Sequence, residues 1–381
     1  MDRLPCIPCI PAKGFLKGPE LCILGSDVSE IYRVDPVTRL PYGVSRHFAA
    51  LADTEDPFRD PIAAQYMPTP GEQTVLSYED PDPIGDGQYT VVPRLVHHYY
   101  DRALLLVNDR CATYCRYCFR RHFTGHGAGH VTSAELDTIC TYLSAHTEIQ
   151  EVLLSGGDPL MLADTEFFGI IDRLRVVRDF IVRVCTRMPV VLPNRISTSF
   201  ARMLGERRPA CMVVHVNHPR ELTPEFRAGV GRLLAHGITT ASQTVLLQGV
   251  NNDADVLEGL FRGLHRMGVR PYYLFQGDLA SGTSHFRVDL GRGIEIMRVL
   301  RSRLSGLALP TYAVDLPGGG GKVPVEASLV RTTETNYILR DGAGREWAYP
   351  REPACSGVSD NPPAPGDPKG DRSPDFSSKF S

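Results

Sequence analysis

The sequence predicts an α/β protein whose core is a parallel barrel of alternating strands and helices. Three observations lead there. Short apolar runs recur through the middle of the chain, helix signals lie between them, and each run ends directly in polar residues.

The runs fall in order. Residues 104–107 precede Asn108-Asp109, 152–154 precede Ser155-Gly156-Gly157-Asp158, and 181–184 precede Cys185-Thr186-Arg187. Residues 212–216 precede Asn217-His218, 245–247 precede Gln248-Gly249, 272–275 precede Gln276-Gly277-Asp278, and 312–314 precede Asp315. Between the first two runs, Thr132-Ser133-Ala134-Glu135 reads as a capping box, followed by one apolar face of Leu136, Ile139, Cys140 and Leu143. Thr223 is an N-cap with Pro224 at the first helical position and Gly237 as the stop. Residues 255–267 form another helix ended by Gly268. Polar residues at successive strand ends are the layout of a barrel with its active site on that face. A doubly wound open sheet also collects ligands at strand ends and is the competing arrangement.

The flanks read differently. Residues 1–95 are rich in proline and turn signals and are expected to form a helical and irregular extension. Residues 96–316 carry the barrel, 317–356 a C-terminal extension, and 357–381 a disordered tail rich in Pro, Gly, Ser and Asp. A net charge of -3 gives no electrostatic reason to expect nucleic acid or an anionic membrane surface. No apolar run is long enough to span a bilayer, and the N-terminus lacks the layout of a signal peptide, so a cytoplasmic protein is expected.

Of ten cysteines, Cys6, Cys9, Cys22, Cys140, Cys185, Cys211 and Cys355 are scattered, whereas Cys111, Cys115 and Cys118 are clustered as C-x3-C-x2-C after the first run. In a reducing compartment such a cluster points to metal or catalysis rather than disulfides. Three thiolates on one loop suit a [4Fe–4S] cluster with one iron left open. Zinc, with nearby His122 as fourth ligand, is the alternative. A second string, Asp315-Leu316-Pro317-Gly318-Gly319-Gly320-Gly321-Lys322, is not a phosphate-binding P-loop: Leu316 stands where its first glycine belongs, and Val323 where Ser or Thr would follow the lysine. A flexible turn is its bland reading. A lysine carried into a barrel mouth for imine chemistry is the functional one.

Taken with Cys115-Arg116-Tyr117-Cys118-Phe119-Arg120-Arg121, these strings resemble the lysine 2,3-aminomutase family within the radical S-adenosylmethionine enzymes. The likeness runs from about 97 to 342 and includes Ser155-Gly156-Gly157-Asp158 and the strings at 188–193, 217–219, 249–251, 285–287 and 317–322.

The resemblance implies a partial (β/α)6-type barrel. Cys111, Cys115 and Cys118 would hold the [4Fe–4S] cluster, and its open iron would bind S-adenosylmethionine. Ser155, Gly156, Gly157, Asp158, His215 and Gln243 would contact that cofactor. Lys322 would bind pyridoxal phosphate, with Arg102 on its phosphate, although a surface salt bridge is the plain reading of Arg102. Arg120 would take the substrate carboxylate, and Asp278 and Asp315 its side-chain cation.

The implied activity is an isomerase that moves an α-amino group to the β-carbon of free lysine. Arginine is the competing substrate, and a radical enzyme without pyridoxal phosphate the competing class. The implied partners are a flavodoxin- or ferredoxin-like electron donor and further copies of the chain in a homo-oligomer. Phe119 and Phe275 depart from the family, which has a small polar residue and, in some members, a tyrosine there. Only Cys355 lies where some relatives bind structural zinc through several C-terminal cysteines, so no such site is expected.

Overall fold

The computed structural model describes residues 40–53, 59–341 and 344–352. The expected tail at 357–381, Cys355 and residues 1–39 of the N-terminal extension lie outside them. A four-residue helix, α1 (Arg46–Ala49), and short 3-10 turns lead into a ten-stranded sheet whose spatial order is the order of the chain.

Its first strands, β1 (Thr90–Val92) and β2 (Leu95–Tyr99), pair antiparallel and run onto β3 (Arg102–Asn108). From there seven strands are parallel: β3, β4 (Glu151–Gly156), β5 (Ile181–Thr186), β6 (Ala210–His215), β7 (Thr239–Leu246), β8 (Arg270–Gln276) and β9 (Thr311–Leu316). Strand β10 (Gly321–Pro324) returns antiparallel beside β9.

The crossovers carry α2 (Ser133–Ala145), α3 (Asp164–Val177), the short α4 (Met188–Val191), α5 (Thr198–Gly205), α6 (Pro224–Ala235), α7 (Ala254–Arg266) and α8 (Leu290–Arg303). After β10 come α9 (Val325–Ser328) and a separate antiparallel sheet of β11 (Leu329–Thr332), β12 (Asn336–Arg340) and β13 (Glu346–Pro350). A doubly wound sheet reverses its strand order at a switch point. This order never reverses, so the fold is the barrel type, left open between β1 and β10 among the described residues. No helix of the described residues is long and apolar enough to cross a membrane.

All seven apolar runs fall on the parallel strands, those at 212–216 and 245–247 passing the strand end by one residue, but β7 begins six residues before its run. Its first half, Thr239-Thr240-Ala241-Ser242-Gln243, is polar and alternates in burial, so an apolar run marks only its end. The helix signals hold. Thr132 accepts the Glu135 amide at 3.2 Å while Glu135 accepts the Thr132 amide at 2.7 Å. Thr223 caps α6 through the Phe226 amide, and Asp253 caps α7. Side chains alternate along each strand. Val152, Leu154, Val182, Val184, Met212 and Val214 are buried in the main core, and their neighbours Leu153, Arg183, Cys185 and Val213 line a cavity.

The loop after β3 is pinned by one carboxylate. Glu72, in the 3-10 turn Pro70–Gln73, accepts Nε of Arg116 at 2.8 Å and Nη2 of Arg121 at 2.9 Å. Arg116 also donates to the Leu40 and Pro41 carbonyls. Burial alone would raise the carboxyl of Glu72, but the two guanidiniums outweigh it and hold the group below its usual range. The stabilisation is therefore full at neutral pH and is lost only as pH falls through that lowered value. Glu72→Ala would strand two buried cations. It should lower unfolding stability by about 3–5 kcal/mol, read from urea denaturation at pH 7. A loss under 1 kcal/mol, roughly what an exposed pair contributes, would contradict this reading.

Candidate active site

A cavity of about 380 Å³ lies along the inner face of β3–β10. It brings together every residue singled out from the sequence: Arg102, Cys111, Cys115, Cys118, Arg120, Ser155, Gly156, Gly157, Asp158, His215, Gln243, Asp278, Asp315 and Lys322. His122, the alternative zinc ligand, is not among its lining residues.

The three cysteines are free and half-buried. Their sulfurs and His122 do not form a group within 4.8 Å of one another. A single zinc ion with Zn–S of ~2.3 Å holds its thiolates about 3.8 Å apart. The wider spread suits a multi-iron cluster. Burial pushes the Cys111 and Cys118 thiols up, and the neighbouring thiolates push them further. A cationic iron centre is the partner that lets three such thiolates lie together. Arg187 closes the site from β5: its Nη1 donates to the Cys115 sulfur at 2.9 Å and to the Tyr117 hydroxyl at 2.8 Å, and Nη2 to Glu221 at 3.2 Å.

The glycines after β4 serve the protein's own packing. A Cβ on Gly157 would stand 2.3 Å from the Arg110 carbonyl oxygen and 2.6 Å from its nitrogen. Only glycine lets this loop lie against the cysteine loop. Asp158 is fully engaged: its carboxylate accepts the Thr186 hydroxyl, the Arg187 amide and the Leu160 amide. Its side chain ties the ends of β4 and β5 together, and its backbone carbonyl accepts Nδ2 of Asn108. His215 meets the Tyr117 hydroxyl through Nε2 at 2.8 Å. Burial and the Arg187 charge push its pKa down to about 3, so the ring is neutral at physiological pH. Gln243 pairs with His215 across β6 and β7.

At the other end, the turn between β9 and β10 sets Lys322 opposite Asp315, with Nζ 2.6 Å from Oδ2. Gly318, Gly319 and Gly321 all have positive φ, and a Cβ on Gly319 would fall 2.0 Å from Nε2 of Gln88. The glycine run is thus a conformational requirement. Gln88 donates to the Gly318 carbonyl at 3.0 Å, and Tyr89 to that of Gly319 at 2.9 Å. Nζ of Lys322 lies 4.2 Å from the Phe275 ring centre, and its amide donates to the Tyr99 hydroxyl. Burial would lower the amine, but Asp315, Tyr99 and Asp278 outweigh it and raise it. Asp278 is pushed up to about 7 by burial and the nearby Asp315, against the opposing charges of Lys322, Arg120 and Arg287. Arg120 is buried, with Nε 2.8 Å from Asp86. Arg102 is half-buried, bonded to Asp101, with its guanidinium 4.0 Å from the Tyr99 ring centre.

Arg187, Tyr117, Asp86, Tyr99 and Gln88 were not singled out from the sequence. Arg187 had one legible signal, its place directly after a parallel strand. Tyr117 lies within the cysteine string itself, and Asp86, Tyr99 and Gln88 reach the site only through tertiary contacts.

Comparison with known proteins gives two family models. Lysine-2,3-aminomutase matches residues 297–362, and the 4Fe-4S single cluster domain matches residues 101–183, which include the three cysteines. A putative L-lysine 2,3-aminomutase of Aquifex aeolicus is 42% identical over 303 residues, 78% of this chain and 80% of that protein. The L-lysine 2,3-aminomutase of Fusobacterium nucleatum is 40% identical, covering 81% of this chain and 73% of its own. A glutamate 2,3-aminomutase of Clostridioides difficile is 36% identical, covering 83% and 75%.

The packing of the two loops gives a test. Gly157→Ala should displace the cysteine loop and lose most of the iron bound after anaerobic reconstitution, while the far-ultraviolet circular dichroism stays close to the parent. Full iron content in that variant would show that the loop tolerates the Cβ.

Proposed function

We propose a function from the premise that this chain belongs to the lysine 2,3-aminomutase family: it converts L-lysine to β-lysine, moving the α-amino group to the β-carbon. One observation carries the reading. A single cavity holds three thiolates at one end and a lysine flanked by two carboxylates at the other. Cys111, Cys115 and Cys118 would hold three irons of a [4Fe–4S] cluster. Ser155, Gly156, Gly157, His215 and Gln243 would line the S-adenosylmethionine side, with Asp158 holding that loop in place. Lys322 and Arg102 would hold pyridoxal phosphate. When bound, these groups supply a carbon-centred radical and an electron sink at the migrating nitrogen.

The protein's own part is placement and exclusion of water. Arg120, oriented by Asp86, offers a planar fork to the substrate carboxylate. Asp278 and Asp315 accept the side-chain ammonium with charge-assisted hydrogen bonds. Asp315 pairs with the Lys322 ammonium, so that carboxylate is available to substrate once the lysine is engaged elsewhere. A substrate with a side-chain carboxylate, such as glutamate, meets repulsion from the same pair. A guanidinium also suits two carboxylates, which keeps arginine as the rival substrate. The reaction needs a low-potential electron donor of the flavodoxin or ferredoxin class.

The test is an anaerobic assay with all three cofactors and reductant, offering lysine, arginine and glutamate separately. A β-amino isomer from lysine alone is expected. An isomer from arginine alone would move the substrate assignment, and one from glutamate alone would remove the role of the acid pair. Lys322→Ala should keep the iron and lose the visible absorption of bound pyridoxal phosphate; an unchanged band would reassign that lysine.

The elevated Asp278 gives the pH dependence. Below about 7 the carboxyl is protonated and cannot pair a cation, and above it is ionised. Activity at low lysine, kcat/KM, should therefore rise with pH through about 7. Asp278→Asn should flatten that rise and raise KM by on the order of tenfold or more, the loss of one charged hydrogen bond. A profile that keeps its shape in the variant would assign the titration to another group.

A further inference from the structure

We propose that His97, His146 and Glu148 form a second metal site, for a divalent cation of the zinc class, on the outer side of the barrel where β2 meets the end of α2. The inference is independent of the proposed reaction, for none of the three residues lines the cavity. One ligand atom from each lies within 4.8 Å of the others, and all three side chains are half-buried. Among the described residues this is the one group of at least three His, Cys, Asp or Glu donors that gathers so closely.

The chemistry of the donors selects the ion. Two imidazoles and one carboxylate are a zinc donor set, with a fourth position left to water. Nitrogen donors disfavour calcium and magnesium, which take oxygen. Nδ1 of His146 stands 2.8 Å from Oε1 of Glu148. A proton shared there occupies the place of a cation, because two ligands bound at ~2.0 Å to one tetrahedral zinc are about 3.3 Å apart. The pair need open by only a few tenths of an ångström.

The third ligand is held in place by its neighbours. Nδ1 of His97 is 2.9 Å from the Tyr142 hydroxyl, and the Tyr142 ring stacks on His146 at 3.9 Å between centres. One side chain therefore orients both imidazoles, as the outer partners of a metal site do. Nε2 of His97 lies 3.5 Å from the Tyr100 carbonyl oxygen, too far for a strong hydrogen bond. In the tautomer whose Nδ1 proton goes to Tyr142, Nε2 carries the lone pair that a cation would take.

A metal here would fasten the end of α2 to β2. The next residues of that strand, His98 and Tyr99, line the cavity, and the Tyr99 hydroxyl accepts the Lys322 amide. The site's place is structural: it braces the wall that carries the lysine turn.

The experiment uses the full chain with its iron–sulfur cluster reconstituted, so that the three clustered thiols are occupied. Calorimetric titration with zinc chloride should show one site per chain of micromolar or tighter affinity. His146→Ala should abolish it, and Glu148→Gln should weaken it roughly tenfold, one lost ligand contribution of about 1.4 kcal/mol. The cluster absorbance of each variant, equal to the parent, checks that it is folded. Copper(II) bound in place of zinc should show hyperfine coupling to two nitrogens, reduced to one in His97→Ala. Zinc binding no tighter than millimolar, or a site retained in full by His146→Ala, would overturn the proposal.

Discussion

The grip of Glu72 on Arg116 and Arg121 is the interaction on which the site depends. The two arginines flank Cys118 in sequence, one directly after Cys115 and one three residues after Cys118. A loop of this length with free thiols has many conformations and no secondary structure of its own to choose among them. A buried carboxylate binding two cations on that loop selects one. Arg187 then reaches the Cys115 sulfur from the next-but-one parallel strand, and Gly157 lets the intervening loop lie flat against the result. The positions of the three sulfurs are thus set by residues that are not themselves ligands.

Much of the architecture was legible because most parallel strands carry a short apolar run that ends in polar residues. The start of β7 was not, since Thr239 to Gln243 are mostly polar on both faces of the strand and carry no apolar run. Nor were β1 and β2: they form an edge hairpin at the margin of a segment dense in prolines, where their pairing with β3 is a tertiary fact. The sequence also pointed to residues that the fold gathers in one cavity, because cysteine spacing and a glycine-lysine string are local. Glu72 and Asp86 are remote from those strings, and nothing in their neighbours marks them as part of the site; Arg187 was marked only by its place directly after a parallel strand. Gly156 and Gly157, implied by the resemblance as cofactor contacts, also let two stretches of backbone meet.

Electrostatics divides the cavity in two. At the thiolate end the protein supplies a cation, Arg187, and a neutral imidazole, His215. At the lysine end it supplies two acids, one of which is raised toward neutrality by burial and by the charge of the other. Such a pair is poorly satisfied by one ammonium and better satisfied by two positive groups, which is the condition of an acidic pocket selective for cations.

The strap from Asp86 to Tyr89 touches both of the loops that carry the cavity's reactive groups. Asp86 holds Arg120 beside the cysteine loop, and Gln88 and Tyr89 hold the carbonyls of the lysine turn. Two strand ends at opposite margins of the sheet thereby share one short segment as their common support. Disturbing either end shifts the strap and so reaches the other. Substitutions at Arg120 and in the lysine turn are therefore expected to be non-additive, with a coupling free energy transmitted by residues that belong to neither.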